Sequence, residues 1–138
     1  MSFADDAKNI ADETKKKKET ERKQDEIKRL KTISKQCLSI ITILKKDILQ
    51  DARGQSLYGE PVGYLEYGLK DEHGRLELFL SWDIDNILET PGYKQLATYC
   101  KELEVKLEIE KRRFEDDEDD DIPVSLYHLY LKVKGWQK

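Results

Sequence analysis

The sequence predicts an α+β fold: a long N-terminal helix plus a four-stranded, mainly antiparallel sheet, in α-ββ-α-ββ order, forming a two-layer sandwich. Three observations predict it. A seven-residue apolar repeat runs through residues 27–48. Two pairs of alternating apolar segments each flank a polar connection, and a Thr-Pro step opens a short helix between them. At 138 residues, the chain has the length of one ordinary domain.

Residues 1–24 carry almost no apolar periodicity; Ile10 and Ala11 stand among Asp, Glu, Lys and Thr. They read as a charged arm, solvated or flexible, with helix propensity but little surface to bury. Residues 25–138 read as a single α+β domain. From Ile27 the pattern changes. Ile27, Ser34, Ile41 and Ile48 recur every seven residues, with Leu30, Cys37 and Leu44 at the interleaved positions. This is an a/d seam. Leu38, Ile40 and Leu49 widen the stripe, as on a helix lying against a sheet. Gly54 after Arg53 supplies a stop. The predicted helix, about 25–52, is roughly 40 Å long and overhangs a small sheet, so its polar end points into solvent or onto another chain. Self-association through Ile27, Leu30, Ile41, Leu44 and Ile48, as a homodimer, is the expected use of the seam; Ser34 at an a position weakens it.

Gly54 to Pro61 reads as a loop. Val62–Leu69 and Arg75–Trp82 flank Asp71-Glu72-His73-Gly74 and predict a β-hairpin. In its second arm Leu76, Leu78, Leu80 and Trp82 alternate with Glu77, Phe79 and Ser81. Thr90-Pro91 is an N-cap followed by proline at the first helical position, and the helix runs through Tyr93, Leu96, Ala97 and Cys100. Residues 103–111 fit two patterns. Leu103, Val105, Leu107 and Ile109 alternate with Glu and Lys as in a strand, whereas Leu96, Cys100, Leu103, Leu107 and Phe114 fit a continued helix stripe. The strand is preferred because a helix leaves Val105 and Ile109 on its polar face. A last strand lies between Pro123 and Gly135, with Tyr127, Leu129, Leu131 and Val133 on one face. Residues 112–123 then form an acidic hairpin loop.

Charge is unevenly spread. The formal net charge is −4, which argues against a binder held to nucleic acid by overall positive charge. Residues 1–54 lean basic, with Lys15 to Lys18 in one run, and the remainder is acidic, chiefly through Glu115, Asp116, Asp117, Glu118, Asp119, Asp120 and Asp121. Seven contiguous acids repel one another and lack the alternating ligands and central glycine of a calcium loop. They suit a basic protein surface. The lone pair of cysteines, Cys37 and Cys100, forms no metal or disulfide framework and fits buried thiols in a cytoplasmic, reducing setting. No apolar run reaches the length of a membrane span.

Chemistry is hard to assemble from these residues. His73 lies at a turn and His128 in a strand, and no nucleophile elbow or phosphate-cradling glycine loop is present. Asp83, Asp85, Glu104 and Lys106 imitate the carboxylate–lysine set of a metal-dependent nuclease, but alternating Glu and Lys on a strand produce that pattern without a metal. The expectation is therefore a non-enzymatic protein-interaction module without a cofactor or metal. The acidic run is its expected binding tip, and the sheet face around Tyr64, Phe79 and Tyr130 the second choice. An acidic inhibitor of a nucleic-acid-handling enzyme, of phage or mobile-element type, is one concrete form. A small acidic secretion-type chaperone or adaptor is the alternative, and the metal-dependent nuclease the less favoured one.

Overall fold

The computed structural model describes residues 2–55, 59–114 and 125–136. Helix α1, Phe3–Ala52, is unbroken over 50 residues, about 75 Å at 1.5 Å per residue. Ser2 caps it, its Oγ accepting the Asp5 N–H at 3.2 Å, and Asp5 and Asp6 occupy the first turn, where the helix dipole favours acids. The expected arm is thus solvated but helical, and every residue from Ser2 to Lys28 is exposed. Its sequence supplies the reason. Asp12/Lys16, Glu13/Lys17 and Glu19/Lys23 place acid before base four residues apart, each worth about 0.2–0.5 kcal/mol. The arm also extends a helix already anchored in the core, so it bears no nucleation cost of its own.

Where α1 meets the body, Ile33, Cys37, Ile40 and Leu44 are buried. The rest of the fold is α+β with a three-stranded antiparallel sheet of order β1-β3-β2. β1 is Tyr64–Gly68, β2 Lys106–Arg113 and β3 Tyr127–Lys134. Leu65 and Leu107 both oppose Val133, and Tyr67 and Ile109 both oppose Leu131. This register puts the apolar residues of all three strands on the face packed into the core with α1 and α3. The strand reading of 103–111 holds for Lys106 onward, and Leu103–Glu104 form the turn, with Glu104 at φ 60°. The acidic loop begins later than residue 112: Arg112 and Arg113 still pair with His128 and Tyr127. The run Glu115–Asp121 itself lies outside the described residues.

The second arm of the predicted first hairpin does not form. Among the described residues, 75–82 makes only the isolated bridges Lys70↔Leu76 and Phe79↔Tyr127, so the expected fourth strand is missing. Side chains have taken the backbone groups a ladder needs. Arg29 donates to the Leu78 carbonyl at 2.5 Å, and the Asp83 carboxylate accepts the Leu80 N–H at 2.7 Å. The alternation also has the opposite sense. Phe79 is buried, whereas Leu76 and Trp82 are exposed. After β1 ends, Phe79 returns to the same edge of β3 and exchanges two backbone hydrogen bonds with Tyr127, both 2.8 Å.

A short helix not read from the sequence, α2 (Asp83–Leu88), follows and buries Ile87. α3, Pro91–Glu102, starts as predicted, with Thr90 as N-cap and Pro91 in the first turn. It buries Leu96 and Cys100.

Candidate interaction groove

The junction of α3 with α1 is built on Ser34. Its Oγ accepts the Gly92 N–H at 2.8 Å, satisfying an amide at the N-terminus of α3 that has no partner within its own helix. A Cβ on Gly92 would stand 2.1 Å from the Ser34 carbonyl oxygen, so only glycine permits this approach. On the N-terminal side of the contact the elements diverge. Ile27, Leu30 and Ser34 of α1 face Asn86, Thr90 and Pro91 across an open groove of about 600 Å³, also lined by Lys31, Lys35 and Glu89.

The seam residues therefore divide. Leu44 is fully buried in the chain's own core and has no surface for a second chain. Leu30, Ile41 and Ile48 pack partly against that core. Ile27 is 55% exposed at the groove. Ser34, which interrupts the apolar repeat, is the small, hydroxylated residue that admits Gly92. The α2 wall was not anticipated, although Ile84, Ile87 and Leu88 carry its helical spacing.

The outer sheet face is open but occupied by its own charges. Arg112 pairs with Glu66 at 2.6 Å and Glu110 at 3.1 Å, and its guanidinium lies 4.0 Å from the Tyr130 ring centre. Lys132 covers Tyr64 at 4.6 Å, and Lys134 pairs with Glu108 at 3.1 Å. Tyr64 and Tyr130 therefore belong to this face, and each ring has a cation over it. Phe79 does not belong to it: the ring is 1% exposed and lies under Arg29, 4.6 Å away.

The carboxylates of the nuclease alternative do not converge. Among the described residues no three His, Cys, Asp or Glu side chains gather as a metal site. Asp83 is engaged by Leu80 N–H and by Arg29 at 3.4 Å. Cys37 and Cys100 are free and buried, and burial pushes both thiols up to about 11, away from the reactive thiolate. Asp51, 3% exposed, accepts the Val62 and Gly63 N–H groups and the Trp136 indole, each at 2.9 Å. That carboxylate fastens the end of α1 to the two residues before β1 and to Trp136, two residues past β3, a structural role.

Among the described residues, no helix is long and apolar enough to cross a membrane. Compared with protein-family models, curated proteins and solved structures, the chain gives no match.

Proposed function

We propose that the chain is a non-enzymatic protein-interaction module that acts on a partner with a basic surface, in the manner of an acidic inhibitor of a nucleic-acid-handling enzyme. The observation that carries this reading is the reach of α1. The helix leaves the body near Arg29 and continues for more than six turns with every residue exposed. Such a length contributes nothing to the core, so its use lies in contact with other molecules. The acidic run Glu115–Asp121, carried between the two paired strands β2 and β3, supplies negative charge suited to steering a basic partner. Two buried thiols suit a reducing, cytoplasmic setting.

The test is affinity capture with the full chain, alongside the same chain carrying Asn at Asp116, Asp117, Asp119, Asp120 and Asp121. The reading expects a basic nucleic-acid-handling protein bound by the first and lost from the second. Equal recovery by both would remove the acidic run from the mechanism. Calorimetry with Mg²⁺ and Mn²⁺ addresses the enzyme alternative, because tight, stoichiometric uptake would favour a metal-dependent nuclease and overturn the proposal.

A further inference from the structure

The groove and the arm are each incomplete on their own. Among the described residues nothing covers the apolar groove lined by Ile27 and Leu30, and nothing packs against Phe3 and Ile10 on the arm, 89% and 65% exposed. Both belong to one unbroken helix. The arm patch centres near residue 7 and the groove near residue 30, roughly 35 Å apart at 1.5 Å per residue. A continuous helix cannot fold back on itself, so this arm cannot cover its own groove. A second copy can.

We propose that the chain forms an antiparallel homodimer in which the arm of each α1 lies in the groove of the other. A two-fold axis between Lys18 and Glu19 sets Phe3 opposite Ser34, Ala7 opposite Leu30, and Ile10 opposite Ile27, all at once and in both directions. The sequence between these patches fits the same contact. Residues 3, 7, 10, 14, 17, 20, 23, 27, 30 and 34 form one stripe in steps of three or four, averaging about 3.4, close to a left-handed coiled-coil repeat. Within it Thr14 faces Lys23 and Lys17 faces Thr20, so no like charges meet on the stripe. Along one flank Asp6 faces Lys31, a residue lining the groove, and Lys16 faces Glu21. The like-charge pairs that this register creates, Lys8/Arg29, Asp12/Asp25 and Lys15/Arg22, lie off the stripe, where Arg22, Asp25 and Arg29 face Leu80, Trp82 and Asp83 of their own chain. The pairing requires no partner of another kind, so it stands or falls separately from the proposed function.

Sedimentation of the purified full chain at about 100 µM should give twice the monomer mass, with a dissociation constant at least about tenfold weaker in F3D/I10D. Those two sites are exposed on the arm, so the body should keep its circular dichroism. Ile27→Asp, on the groove side, should weaken the dimer equally. Orientation is read by disulfide trapping: a mixture of Ile10→Cys and Ile27→Cys chains should cross-link, and neither alone should. Cys37 and Cys100 are buried and do not compete. A monomer at this concentration would overturn the inference. So would a dimer untouched by F3D/I10D, or cross-linking of each single-cysteine chain with itself, which would mark a parallel pair.

Discussion

At the scale of single residues, two of the contacts between α1 and the body can be tested by one substitution each. The Gly92–Ser34 approach leaves no room for a methyl group, since the nearest obstacle is backbone rather than a movable side chain. Gly92→Ala should therefore force α3 away from α1 and cost about 2–3 kcal/mol, despite alanine's better helix propensity. Chemical denaturation reads this directly, and a neutral or stabilising result would mean that the two helices separate cheaply. Asp51 is the second contact. Burial alone would raise its carboxyl, but the donors at Val62, Trp136 and Gly63 together outweigh burial and hold it below the ordinary carboxylate value. The folded state thus binds its proton less readily than the unfolded chain. The resulting stability is complete above about pH 4, the unfolded value, and is lost as pH falls through the folded value. Asp51→Asn should destabilise the protein at pH 7 by about 1–2 kcal/mol, with the gap to wild type closing in acid. Thermal melts followed from pH 7 down to about pH 2.5 check the sign.

At the scale of elements, the sequence was readable where one pattern dominated and misleading where side chains competed for the backbone. The α3 cap was legible because Thr90-Pro91 has one economical meaning. β2 and β3 were legible because their alternation coincides with burial, as Leu129, Leu131 and Val133 show. The segment 75–82 alternates equally well, yet Arg29 and Asp83, both distant or non-strand residues in the sequence, capture its Leu78 carbonyl and Leu80 amide. Nothing in the local pattern reveals that. The groove was half legible: Ile27 and Leu30 lay in the seam, but its opposite wall depended on placing α2 and the glycine contact at Ser34. The arm supplies the prediction at this scale. A chain starting at Lys23 lacks no core residue among those buried in the structure, so its body should fold unaided. Its melting temperature should not change with protein concentration. The full chain, if paired through the arm, should melt several degrees higher at about 100 µM than at 1 µM, because dimerisation stabilises the folded state by mass action. A truncated chain that melts lower even at the dilute end would show that the arm supports the body directly.

At the scale of the whole molecule, charge is arranged along the chain rather than balanced locally. The arm mixes acids and bases, the outer sheet face neutralises itself through Arg112 and Lys134, and the excess negative charge sits in Glu115–Asp121. Replacing the five aspartates of that run by asparagine removes five negative charges and takes the formal net charge from −4 to +1. Contiguous carboxylates are not core-forming sequence, so the fold should persist, and relief of repulsion within the run should raise stability modestly at low salt. Solubility should fall as the net charge approaches zero. These effects follow from the run being a dense local charge and do not depend on a partner. Binding separates the two uses of that charge. A steering element accelerates encounter over roughly a Debye length, about 10 Å at 0.1 M salt, and leaves the docked contacts largely as they were. Its neutralisation should slow association severalfold at low salt, flatten the salt dependence, and change dissociation little. Stopped-flow mixing with the captured partner at two ionic strengths measures all three. An unchanged association rate at low salt would leave the run as a solubilising segment.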